Sequence, residues 1–380
     1  MINEKRLVNT FKELVQIDSV SRDEKAVCEH LQHIFRNFGA SVTIDNAGEK
    51  AGSNTGNLIC KLDGTINAPP LLLSAHMDTV DPGRGITPVE KDGRITSDGT
   101  TILGADDKSA LAVIIEVLTC LLDKQLPRCP MEFVFTICEE VGLLGAKHLN
   151  YSLITAKSGY VLDAGDVENV INKAPGSNKI EFNIHGKAAH AGSAPEKGIN
   201  AISIASKAIA SLELGKIDDE TTCNIGVIEG GSAINVIPNL VNVKGEIRSH
   251  NADKLERVTK RMTDAFVCTV AAYKKNDTDE LPGLDVVKTA DYTSTTLADD
   301  HPVITVAMQA AQNIGMKLGL KKAGGGSDAN VFFGKDIIAA VLGTGMRDVH
   351  SVNESIAIKD MVKSAELLVE LIRLHSTETT

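Results

Sequence analysis

The sequence predicts an α/β fold in which a mainly parallel sheet, covered by helices on both faces, is interrupted by an inserted ferredoxin-like α+β unit. Three observations predict it. Apolar runs of strand length alternate with helix-period segments in the first part of the chain. Several of those runs stop at an Asp, Glu or His, as expected where an open sheet presents its site at the carboxyl ends of its strands. After Asn172 the strands become alternating, in the order β-α-β-β-α-β, and a helical pattern and a buried-type strand then return.

In chain order, Asn3–Phe38 reads as a helical pair with Leu7, Phe11, Leu14 and Val15 at helical spacing. The break at Asp18–Ser21 offers serines that, with Asp23, are expected to cap the second helix. Strands are expected at Ser41–Asp45, Asn57–Leu62 and Leu71–Ala75, then a long apolar helix over Lys108–Asp123, a turn at Pro127–Pro130 and a buried-type strand at Glu132–Ile137. The insert reads as strands at Lys179–Ile184, Thr222–Ile228, Leu240–Arg248 and Leu284–Tyr292 around helices at Asn200–Leu212 and Ala252–Tyr273. A helix at Pro302–Ile314 and a strand at Ile337–Leu342 complete the first pattern. Residues 1–175 and 296–380 are thus assigned to one discontinuous domain and 176–295 to the insert, because 380 residues exceed one ordinary core.

Composition narrows the function. A hydrophobic fraction of 43% with 23% charged residues is that of a soluble globular enzyme. The net charge of −11 argues against a nucleic-acid partner, since phosphate contacts need a clustered positive surface. No stretch approaches the roughly 18 apolar residues that span a membrane. The start, MINEKRLVNTFKELVQI, has no uninterrupted apolar core before a small-residue cleavage site, so a cytoplasmic protein is expected. Cys28, Cys60, Cys120, Cys129, Cys138, Cys223 and Cys268 are scattered without a C-x-x-C pair, as reduced thiols are.

The chemistry stands at the ends of the apolar runs: His76 and Asp78 in LLLSAHMDTV, Asp106 in TILGADDKSA, Glu139 and Glu140 in FVFTICEEVG, Asp163 in GYVLDAGD, and His350 in GMRDVHSVNE. Two imidazoles and several carboxylates, with no thiolate, suit zinc, with cobalt or manganese able to substitute. Two such ions about 3.5–4 Å apart, sharing a carboxylate and a water, are a recurrent device for hydrolysing amide bonds. In the extended H-M-D segment both polar side chains point one way, so His76 can bind metal while Asp78 accepts its other ring N–H. Asp106, just past the Gly104 turn, is the candidate bridging carboxylate. Glu139 and Glu140 are adjacent and cannot face one metal alike, so one should ligate and the other act. Each residue alone has a plainer reading: Asp106-Asp107 as a helix cap, Glu139-Glu140 as a solvated pair, Arg248 as a partner of Glu246, the run Gly324–Gly326 as a tight turn, and Asp166 in place of Asp163. Their arrival together at strand ends favours the chemistry.

The blocks SAHMDTVDPG, DGTTILGADDKSALA, CEEVGLLGAKHL, GKAAHAGSAPEKGINAI, INVIP, GGGSDAN and DVHSVNE, in that order, resemble the peptidase T branch of the co-catalytic di-zinc metallopeptidases. That wider group holds carboxypeptidase G, aminoacylase and succinyl-diaminopimelate desuccinylase. The resemblance implies two zinc ions per subunit, Glu139 as general base, Asp163 completing one ion with His76, and Glu140 and His350 holding the other. It implies that His190, in AAHAGSAP, reaches the neighbouring subunit's site in a homodimer formed through the insert. Asn235 and Arg248 are implied to hold substrate, Arg248 as a fork for a carboxylate. Backbone N–H groups around Gly325 and Ser327 are candidates for the same end. Two departures, Cys138 where an acidic residue is usual and Ser109-Ala110 for Ala-Gly, touch no implied ligand and bear on substrate preference. The expected activity is removal of the N-terminal residue from short peptides, tripeptides above others. The alternative is a deacylase or carboxypeptidase acting on N-acyl amino acids or dipeptides with the same metals. A non-catalytic peptide-binding relative would lack Glu139 or a ligand, and none is lacking.

Overall fold

The computed structural model describes residues 2–274 and 280–377. The ends of the predicted assignments at residues 1 and 378–380, and residues 275–279 of the insert, lie outside the described residues. The chain forms two compact units. One runs to Lys173 and resumes with Thr296–Ala323 and from Ser327 onward; the other comprises Ala174–Thr295 and Gly324–Gly326. The glycine run, assigned from the sequence to the discontinuous part, thus packs with the insert.

In the first unit the large sheet runs in the order Ser41–Ile44, Leu58–Leu62, Met131–Thr136, Leu71–His76, Ser158–Ala164, Ile338–Gly343, Asn169–Ala174. The four central strands from Met131–Thr136 to Ile338–Gly343 are parallel. Outside them the pairs Ser41–Ile44 with Leu58–Leu62, Leu58–Leu62 with Met131–Thr136, and Ile338–Gly343 with Asn169–Ala174 are antiparallel, while Gly319–Lys322 pairs parallel with Asn169–Ala174. Leu71–His76 and Met131–Thr136 are buried along their whole length, because both faces are covered. Leu71, Leu73, Phe133 and Phe135 pack toward the helices Glu4–Val15, Lys25–Asn37, Ala105–Asp123 and Ile358–Thr377. Leu72, Val134 and Val161 face the opposite core with Ala146, Ala329 and Phe332. Each such buried side chain contributes about 1.5–3 kcal/mol, which makes the strand ends a stiff platform. A smaller sheet joins Met346–Arg347, Ser355–Ala357, Arg94–Thr96 and Val89–Lys91 and brackets the loop that carries His350.

The expected capping of the second helix is not what forms. Glu24 occupies the N-cap without a side-chain cap bond. Ser19 Oγ instead donates to the Met77 carbonyl at 2.9 Å and Ser21 Oγ to Asp78 Oδ2 at 2.7 Å. Asp23 takes Asn54 and Arg84. The interhelical segment is pulled onto the His76–Thr79 turn because buried polar groups there need partners, and the gain exceeds that of a local cap.

In the second unit the strands Thr221–Gly230, Leu240–Ser249, Gly176–His185 and Gly283–Tyr292 lie side by side in that order and are all antiparallel. With the helices Ala201–Ala210 and Ala252–Tyr273 on one face, this is the ferredoxin-like arrangement. Ile180, Phe182, Val243 and Ile247 meet Ala205, Met262 and Phe266 in a core of their own.

Candidate active site

His76 ends the strand Leu71–His76, Asp163 sits near the end of Ser158–Ala164, and the glutamate pair follows Met131–Thr136. These are neighbouring parallel strands, so their carboxyl ends converge. Asp106 enters from the start of the helix Ala105–Asp123, past Gly104, whose φ of 72° is open to glycine at little cost. Asp106 Oδ1 lies 3.0 Å from His76 Nε2, and its Oδ2 lies 3.4 Å from His350 Nε2. His350 Nε2 is in turn 2.9 Å from Glu140 Oε1. Among the described residues, His76, Asp106 and Glu140 bring ligand atoms within 4.8 Å of one another, as do Asp106, Asp107 and Asp163. Glu139 stands outside both groups. Asp166 is engaged elsewhere, with the Glu168 N–H, Asn169 and Lys321.

The supports come from far along the chain. The Asp78 carboxylate was expected to hold the second ring nitrogen of His76. Nδ1 lies 2.8 Å from the Asp78 backbone carbonyl and 3.5 Å from Oδ1. The carboxylate itself accepts the backbone N–H groups of Glu139 at 2.9 Å and Glu140 at 3.2 Å. Asp78 therefore sets the glutamate pair as well as facing the imidazole. Before the pair, Cys138 takes a left-handed φ of 53°. Its N–H and S–H both donate to Glu24 Oε1, at 3.0 and 3.3 Å. Glu354, unassigned in the sequence, accepts from Leu103, Gly104 and Asp106 at 2.8, 2.8 and 3.0 Å and so holds the turn that aims Asp106. Its one signal was its place in DVHSVNE; Glu24 had none. Asp107 accepts the His76 N–H at 3.1 Å.

Electrostatics fit a cation. Burial works to raise the Asp106 carboxyl, but its hydrogen bonds to His350 and His76 outweigh this and hold it below the usual range. Burial opposes the His76 charge, yet Asp106 and Asp78 push its pKa well up. Hydrogen bonds to Asp106 and Glu140 push His350 up to about 10. Burial also raises Asp163 and Glu139, assisted by neighbouring carboxylates. Oδ1 of Asp107 is buried with no hydrogen-bond partner. Converging carboxylates, two imidazoles and an orphaned oxygen are what a multivalent cation would satisfy, and the donor set suits zinc and its neighbours.

A consequence is measurable. Both imidazole pKa values are raised by the facing carboxylates, and ligation requires neutral rings. Metal uptake is therefore expected to release protons at pH 7, with apparent affinity climbing as pH rises toward about 10. Calorimetric titration in buffers of different ionisation enthalpy reads the release; an enthalpy independent of buffer would contradict it.

His190, Asn235, Arg248 and Gly325 belong to the second unit, and Ser327 to the first. His190 Nδ1 accepts the N–H groups of Gly192 and Ser193 at 3.1 and 3.2 Å, which leaves the proton on an exposed Nε2. The Asn235 carbonyl accepts from Ala191. Arg248 Nη2 meets Glu246 at 3.1 Å while its Nε has no partner. The Ser327 backbone N–H, expected to be available to substrate, donates to Asn330 Oδ1 at 3.1 Å in a capping box at the start of the helix Asp328–Phe333.

The description "Peptidase dimerisation domain" of the M20 family fits residues 172–268, and "Peptidase family M28" fits residues 57–183. An uncharacterised Bacillus subtilis protein, YqjE, is 42% identical over 98% of this chain and 99% of its own. The crystal structure of aminopeptidase PepT from Bacillus cereus superposes with a TM-score of 0.89 at 43% identity, over 99% of this chain and 100% of that one. A tripeptidase from Staphylococcus aureus does so at 0.93 and 39%, over the whole of both chains. The fold and these relatives together define a peptidase. The chain belongs to the M20 peptidase family, in its peptidase T-like branch. Among the described residues no helix is long and apolar enough to cross a membrane.

Proposed function

We propose that this peptidase removes the N-terminal residue from short peptides, tripeptides before others, at a centre of two zinc ions. Asp106 would be the shared ligand, with His76 and Asp163 to hold one ion and Glu140 and His350 to hold the other. The observation that carries this is the position of Asp106, whose two oxygens each face a different imidazole. Ions held there would lower the pKa of a shared water and polarise the scissile carbonyl. Glu139, fixed through its backbone by Asp78, accepts the proton of the attacking water and returns it to the leaving nitrogen. The exposed Nε2–H of His190 donates to the developing oxyanion of a partner's substrate. That role needs a homodimer formed through the second unit, which the match to a dimerisation domain supports. Asn235 and Arg248 hold the substrate, Arg248 at its C-terminal carboxylate, and Gly325 leaves that guanidinium uncovered. The free thiols fit a cytoplasmic protein.

The test is a panel of free tripeptides, dipeptides, C-terminal amides and N-acetyl amino acids, with zinc, cobalt and manganese in turn. Free tripeptides are expected to lead, dipeptides to follow, and amides to lose heavily. Arg248→Ala is expected to raise KM for free acids and narrow the gap to amides. Good turnover of N-acetyl amino acids with none of free tripeptides would replace this reading with a deacylase.

A further inference from the structure

Arg248 does not stand alone on its sheet. Ser177 pairs with Arg248 on one side and with Tyr292 on the other, so the three residues form a row across adjacent strands. Strand alternation puts Val243 and Ile247 toward the helices and Arg248 on the opposite face. On Gly176–His185, Ile180, Phe182 and Ile184 point to the helices, so Ser177 shares the face of Arg248. Along Gly283–Tyr292, Leu284 and Val286 pack with the helix-side core, and unbroken alternation would send Tyr292 there too. An irregularity between Ala290 and Tyr292 shifts the register and turns Tyr292 onto the face of Arg248. Re-aiming one side chain is what a bulge does.

The local chemistry is that of an anion receptor with open capacity. Tyr292 Oη accepts the Gly326 N–H at 3.2 Å, which leaves its own proton to donate. Burial raises the Tyr292 pKa, so the hydroxyl stays a neutral donor. A Cβ at Gly326 would come within 2.3 Å of the Tyr292 ring, so only glycine lets the ring lie there. Arg248 Nε and Ser177 Oγ are both buried without a hydrogen-bond partner, Ser177 being 1% exposed. Unpaired buried polar atoms are costly unless something completes them.

We propose that Tyr292, beside Ser177, is a specificity-determining residue that joins Arg248 in a two-point receptor for the C-terminal carboxylate of the peptide. The guanidinium supplies charge and fork, and the Tyr292 hydroxyl donates to a carboxylate oxygen; the Ser177 hydroxyl lies behind them in the row. This rests on the reading of Arg248 as the carboxylate fork.

Tyr292→Phe keeps the ring against Gly326 and removes only the hydroxyl. For a free tripeptide, kcat/KM is expected to fall by roughly tenfold or more, as for losing a hydrogen bond to a charged group, with the change in KM and not kcat. The ratio of acid to amide turnover should shrink by the same factor, and the melting temperature should hold. Three results would overturn the proposal. If wild-type enzyme favours acid over amide and Tyr292→Phe does so equally, Tyr292 is not part of the receptor. If the variant loses acid and amide activity alike, its role is structural. If the wild-type enzyme does not distinguish acid from amide, the carboxylate reading of Arg248 fails first and this proposal falls with it.

Discussion

Glu139→Gln is expected to lower kcat by about 10²–10⁴-fold, the usual cost of losing a general base, with metal content unchanged. Gln keeps the size of the side chain and the backbone N–H that Asp78 holds at 2.9 Å, so the loop keeps its shape. What it loses is the ability to take a proton. Glu139 lies outside both groups of clustered ligand atoms, while Glu140 is inside one and meets His350 at 2.9 Å. The parallel substitution Glu140→Gln should therefore lose metal as well as rate. Elemental analysis beside steady-state kinetics separates the two. Metal loss in Glu139→Gln, with retention in Glu140→Gln, would exchange their roles.

Asp106→Asn is expected to cost more than any change beside the centre. The Asp106 carboxylate faces both His76 and His350, and Asn replaces one of its two oxygens with an amide nitrogen that cannot ligate and removes the negative charge. Loss of an outer partner typically costs 10–100-fold in metal affinity or activity, and removal of a shared ligand should exceed this. The fold should survive, because the turn is held by Glu354 through the backbone N–H groups of Leu103, Gly104 and residue 106 itself, which the substitution leaves in place. Far-ultraviolet circular dichroism matching wild type, with metal content well below it, is the expected pair of results. Full metal retention in Asp106→Asn would remove the shared-ligand reading.

Much of this site was legible in the sequence, and the reason is local. Parallel strands buried on both faces must be apolar throughout, so LLLSAH and FVFTI announce themselves, and a polar residue at such a run's end stands where the sheet opens. The strand ends at His76, Asp163 and the glutamate pair needed nothing beyond period and residue type. The choice between Glu139 and Glu140 came from resemblance, since spacing says only that neighbours point apart.

What the sequence by itself determined was the inventory: two layered units, a set of imidazoles and carboxylates at strand ends, and an α+β insert that carries Arg248. Only the tertiary structure decided which acid serves which backbone. Glu354 reaches the Gly104 turn, Glu24 reaches Cys138, and the Asp78 carboxylate takes the backbone N–H groups of the glutamates while staying 3.5 Å from the ring it was expected to orient. The serines expected to cap a helix went to the His76 turn, Ser327 went to a helix cap, and one irregularity placed Tyr292 beside Arg248. Element type follows from the periodicity of neighbouring residues. The partner of a buried carboxylate depends on which distant N–H groups packing leaves unpaired, and on a strand register in which a shift of one residue exchanges the two faces.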